Sequence, residues 1–80
     1  MTVRVLRLHC SLFSVDVRLV QYSGRWIASA DTVDGPSLGL GDSAREALIQ
    51  ALDPFDTMAD ELLETAPRHL LFEPYPGADR

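Results

Sequence analysis

His9, Cys10 and His69 are the sequence's soft metal ligands apart from its methionines. Zinc-type sites draw on ligands at short repeated spacings, such as two cysteines in Cys-x-x-Cys or two histidines one helical turn apart. Neither spacing occurs, and His9 and Cys10, adjacent on an extended chain, project to opposite faces. No metal site is expected, and Cys10 reads as a small packing residue. Ser29, Ser37 and Ser43 are nucleophiles by type alone. None lies in a Gly-x-Ser-x-Gly turn, and Ser43 has a better role as a helix cap. With two histidines in no recognisable arrangement, no catalytic residue and no cofactor is expected. Gly39-Leu40-Gly41 precedes a helix start but lacks the spacing of a phosphate loop. No lysine exists to reach a phosphate, so the segment reads as a structural turn.

Charged and aromatic residues offer more. Asp56, Asp60 and Glu64 recur at i, i+4 and i+8, one face of a helix. A divalent cation needs carboxylates from converging elements, so a single solvated row is a charged outer face. The same row is the candidate docking surface for a basic protein. Tyr22 and Trp26 flank Ser23-Gly24 and would meet across a hairpin, as a dimer or stacking surface. Arg4, Arg7, Arg18 and Arg25 could join them as a basic, RNA-binding strip on a sheet. That alternative requires the arginines to share a face, and positions 4 and 7 differ in parity.

Composition weighs between these readings. The chain has 80 residues and a net charge of −5, and all seven basic residues are arginine. The absence of lysine and asparagine, both with A-rich codons, is what a GC-rich bacterial genome produces. The charge is split. Residues 1–30 carry four arginines against Asp16, whereas residues 31–80 carry eleven acids against Arg45, Arg68 and Arg80. An acidic chain repels phosphate backbones, so nucleic acid is disfavoured as the main partner and a protein is favoured. One cysteine makes no internal disulfide, and no apolar run approaches the roughly 20 residues of a membrane span. A cytoplasmic setting is therefore expected. At this length a chain forms one domain and buries only about 60–65% of its unfolded surface, so self-association, as a dimer, is the expected complement to a thin core.

The elements that position these residues follow from periodicity. Thr2 to Leu8 is rich in branched residues and reads as a strand. Leu12 to Tyr22 alternates with period two, placing Phe13, Val15, Val17 and Leu19 on one face. Ser23-Gly24 and Arg25 to Ala30 complete a hairpin. Asp34-Gly35-Pro36 is a turn, and Ser37 to Leu40 is a short further strand or an extended connector whose neighbouring glycines mark close backbone approach or a bulge. Ser43 and Glu46 form a capping box. From there Ala44, Ala47, Leu48, Ala51, Leu52 and Phe55 make one apolar helical stripe, which Met58, Ala59, Leu62, Leu63 and Ala66 continue. Asp53-Pro54 either caps a second helix or kinks a single one. Pro67 stops the helix, His69 to Phe72 is a possible last strand, and a mobile tail is expected from about residue 76.

This order of signals resembles the HicB-like antitoxin domain. The carrying residues are Tyr22-Ser23-Gly24-Arg25-Trp26-Ile27-Ala28-Ser29-Ala30, the loop Asp34-Gly35-Pro36, and Gly41-Asp42-Ser43-Ala44-Arg45-Glu46-Ala47-Leu48. They resemble the family's run of a glycine–aromatic–aliphatic second strand, a Pro-Gly loop and a Gly-Asp-Ser/Thr helix start. The likeness covers about residues 13–66. The loop here has its proline and glycine exchanged, and Thr2 to Cys10 is an addition before the hairpin. The resemblance implies an α+β, two-layer domain with an antiparallel sheet of three to four strands backed on one face by one or two helices, βββα(α)β. It also implies a non-enzymatic module that covers a small basic RNA-cleaving toxin and self-associates. Residues 67–80 are too few for the family's appended DNA-binding module, so the expectation is a single, stand-alone domain over residues 1–80. The alternative is a small oligomeric domain with no toxin partner.

Overall fold

Each of the first three connections is tight enough to return the chain beside itself, which makes the sheet an antiparallel meander. The computed structural model describes residues 2–68. Strands β1 (Thr2–His9), β2 (Ser14–Tyr22), β3 (Arg25–Thr32) and β4 (Gly35–Gly41) lie in the order β1-β2-β3-β4. Helix α1 (Ala44–Ala51), a 3-10 segment (Asp53–Met58) and helix α2 (Ala59–Glu64) follow. The architecture is the expected α+β arrangement of helices on one face of an antiparallel sheet. The expected strand at residues 69–72 and the expected tail from about 76 lie outside the described residues. The short strand expected at Ser37 to Leu40 runs over Gly35–Gly41 and pairs along its whole length with β3.

The β2–β3 hairpin turns through Ser23 at φ 51° and Gly24 at φ 78°. Two left-handed residues match the right-handed twist of the flanking strands, and glycine takes the second position without steric cost. The β3–β4 connection is closed by the Thr32 hydroxyl. It donates to the Gly35 carbonyl at 2.6 Å and accepts the Asp34 amide at 3.1 Å.

The inner face of the sheet tapers. Register aligns Leu6, Val17, Ala30 and Ser37 across the four strands, and Arg4, Leu19, Ala28 and Gly39 in the adjacent row. Side chains therefore shrink from leucine and valine on β1 and β2 to alanine on β3 and glycine on β4. Helix α1 uses the low side of this wedge. Its Ala44, Ala47, Leu48 and Ala51 are buried, and Ala47 and Ala51 approach so closely that a Cβ on Gly39 would collide with their backbone. Gly41 meets the same helix, with a Cβ there falling 2.9 Å from the Ala47 nitrogen. Both glycines mark close approach of helix and strand. Leu8, Leu19, Leu48, Leu52 and Leu62 fill the deep side of the wedge.

The Ser43 hydroxyl accepts the Glu46 amide at 3.1 Å, satisfying one of the orphan donors of α1. The helix stops at Leu52. Asp53 does not cap a second helix there: Pro54 sits in the first turn of a 3-10 segment, whose Phe55 amide bonds the Leu52 carbonyl at 2.9 Å. Asp56 then breaks the helical path at φ 50°, ψ −118°, and α2 begins at Ala59 in a new register. Phe13 lies before β2 rather than in it, and its ring sits 5.8 Å from that of Phe55. Helix α2 is tied to the start of the sheet by polar bonds between distant positions. Thr65 Oγ1 accepts the His9 amide at 2.8 Å, and Glu61 Oε1 accepts the Ser11 amide at 2.8 Å.

Candidate binding surfaces

Among the described residues, helices cover one face of the sheet and leave the other open. Register sets Val3 opposite Val20, Val20 opposite Ile27 and Ile27 opposite Leu40. One apolar row therefore crosses all four strands on the open face. The adjacent row is Val5, Arg18, Ser29 and Leu38. Val3 is 50% exposed, Val5 68%, Leu38 65% and Leu40 52%, while Val20 and Ile27 shelter one another in the middle. Singly exposed aliphatics are ordinary on protein surfaces, but a contiguous band of them is a mark of an interaction site. The sequence pattern masks this band. Inner-face Leu19 and Ala28 sit next to Val20 and Ile27, so β2 ends and β3 begins in mixed apolar runs whose faces separate only once the two-residue turn sets the register.

The arginines do not form a basic strip. Arg7, Arg18 and Arg25 share the open face, but Arg4 belongs to the inner-face row. Arg7 grips Asp16 with two hydrogen bonds, Nε at 2.8 Å and Nη2 at 3.2 Å, in a cross-strand fork. Hydrogen bonding, followed by charge attraction, raises the Arg7 pKa, and the Arg7 hydrogen bond holds the Asp16 carboxyl below its ordinary value. Arg25 pairs with Asp42 at 3.1 Å. Among the described residues, Arg18 is the open-face arginine that makes no ion pair.

Tyr22 and Trp26 do not form one surface. The two-residue turn pairs Tyr22 with Arg25 and Gln21 with Trp26. Strand parity then sends Tyr22 to the open face, 60% exposed, and Trp26 to the inner face, where it packs against the core.

The acidic row is also divided. Asp56, Asp60 and Glu64 are all exposed. The backbone break at Asp56 interrupts the i, i+4, i+8 register, so only Asp60 and Glu64 share a face of α2. The helical layer as a whole is nevertheless strongly negative. Glu46, Asp53, Asp56, Asp60, Glu61 and Glu64 stand there against Arg45 and Arg68.

His9 and Ser14 are cross-strand partners, with Nδ1 and Oγ 2.9 Å apart on an exposed edge of the sheet. Cys10 is half-buried against the core. Among the described residues no three His, Cys, Asp or Glu side chains converge as a metal site would require. No helix among them is long and apolar enough to cross a membrane. No family model, curated protein or solved structure matches the chain.

Proposed function

We propose that this chain is a small, non-enzymatic protein-binding module of the HicB-like antitoxin type. Its partner is a small basic protein held against the acidic helical layer. The observation that supports the reading is the separation of charge between the two layers. Two of the four arginines on the sheet, Arg7 and Arg25, are paired in place with Asp16 and Asp42, whereas most carboxylates of the helical layer stand exposed with few cations among them. A uniform negative field over one side of a domain steers a basic partner toward it and repels acidic competitors. The pairing of Arg7 and Arg25 also weighs against the RNA-binding alternative, because a phosphate backbone would have to displace two intramolecular carboxylates to reach them.

Co-expression with a small basic protein encoded beside this chain tests the reading. A complex is expected that weakens steeply with salt. It should be lost in Asp60→Arg/Glu64→Arg, since reversing two charges replaces attraction with repulsion over a Debye length of about 8 Å at physiological salt. Absence of a complex at low salt, or a complex indifferent to that double reversal, would refute the assignment.

A further inference from the structure

We infer that the open sheet face is the interface between two copies of this chain, packed face to face. The inference does not rest on the basic partner proposed above. Three observations carry it.

The first is symmetry. The row Val3, Val20, Ile27, Leu40 is apolar from one edge of the sheet to the other. A two-fold axis running along the strands sets β1 over the second copy's β4 and β2 over its β3. Apolar then meets apolar at every position in that row, with no polar side chain opposed to an aliphatic one. In the next row Val5 faces the second copy's Leu38. Arg18 lies over its Ser29.

The second is charge. Arg7 and Arg25 are paired with Asp16 and Asp42, and Arg18 and Asp31, opposite in sign, are the remaining open-face charges of the strands. Two copies can therefore meet through this face without net repulsion. The helical layer is acidic, so two copies brought together there repel.

The third is area. Strands of about eight residues at about 3.3 Å each, four abreast at about 4.8 Å, give a face of about 500 Å². Two such faces remove about 1,000 Å² from water, the lower bound for a biological interface. Sheets stacked about 10 Å apart would enclose Val20 and Ile27 in a second core, and leave both acidic helical layers outward.

Solution mass decides the matter. Light scattering on the wild-type chain at about 100 µM, a concentration that populates a dimer of micromolar Kd, should return twice the 8.8 kDa protomer. Val5→Glu/Leu38→Glu alters two of the most exposed side chains of the face and should return one protomer with an unchanged far-ultraviolet spectrum. The milder Val5→Thr/Leu38→Ser, which keeps the chain neutral there, should raise the dissociation constant at least about tenfold. Asp60→Arg, on the helical layer, should leave the dimer intact. A monomeric wild type would overturn the inference. So would a dimer that survives both open-face variants, or one that Asp60→Arg dissolves.

Discussion

Replacing Gly39 with alanine tests the wedge that joins helix to sheet. The added Cβ would enter the van der Waals shell of the Ala47 carbonyl oxygen, and lie 2.5 Å from the Ala51 nitrogen and 2.9 Å from the Gln50 Cβ. Ordinary contact begins at 3.4 Å. The first two obstacles are backbone atoms and cannot rotate aside, so α1 must lift from β4 by about 1 Å. A gap of that size forfeits roughly a quarter to a half of the dispersion energy of each contact it opens. The contacts at risk are those of Ala44, Ala47, Leu48 and Ala51, all buried. The Gln50 side chain, whose Oε1 accepts the Leu40 amide at 3.1 Å at the sheet edge, moves with the helix. Overpacking costs typically about 1–3 kcal/mol, and a clash between two backbones belongs at or above the top of that range. A domain of this length is stable by about 4–12 kcal/mol in all. Gly39→Ala should therefore lower the melting temperature by about 12–24 °C, at about 4–8 °C per kcal/mol. Urea and thermal unfolding followed by circular dichroism measure this. Gly24→Ala is the control. A Cβ there meets nothing within 4 Å, and the penalty is confined to the left-handed backbone at φ 78°, about 1–2 kcal/mol. If Gly39→Ala costs less than Gly24→Ala, the close approach of α1 to β4 is not what requires glycine, and the wedge is refuted.

Other perturbations follow from the same contacts. Leu48→Ala empties a fully buried position between helix and sheet and should cost about 2–5 kcal/mol in urea unfolding. Ser43→Ala leaves the Glu46 amide without its acceptor, and should cost about 1 kcal/mol with no change in native spectra. Asp16→Asn should remove a pH-dependent component of stability. The Asp16 carboxyl is held below its ordinary value in the native state by its hydrogen bond to Arg7, so the contribution is complete above the unfolded-state carboxylate pKa. It is lost as pH falls through the depressed native value. The difference in urea midpoint between wild type and Asp16→Asn should thus be constant near neutrality and vanish in acid. A difference that persists unchanged at low pH would show that Asp16 acts through something other than its charge.

Much of the fold is legible residue by residue because its determinants are local. The alternation of Val15, Val17 and Leu19 places the inner face, Ser23-Gly24 dictates a hairpin, and Ser43 with Glu46 marks where α1 begins. Each depends on neighbours a few positions away. The glycines before α1 announce close approach, although not the partner. Local signals lose their authority at Asp53-Pro54. The apolar stripe continues through Met58 and Leu62 as if one helix ran on, while the chain takes a 3-10 turn and breaks at Asp56. The acidic row at 56, 60 and 64 was an inference from helical spacing, and it fails for Asp56 because the spacing does not survive that break.

What depends on tertiary structure is which residues share a surface. Tyr22 and Trp26 are four apart and straddle one turn, yet a two-residue connection sends them to opposite faces. Arg7 and Asp16, nine apart, become a bonded pair, and Thr65 reaches the His9 amide across the whole chain. The apolar row from Val3 to Leu40 exists only when three registers are set together. Local sequence specifies the strands and the helix start because backbone sterics and short-range hydrogen bonds act within a few residues. The binding surfaces are sums over strands distant in sequence, and each pairing can invert a face by slipping one residue. That is why the composition could show a positive sheet and a negative helical half, while only the assembled sheet showed Arg7 and Arg25 paired and an apolar row crossing its outer face.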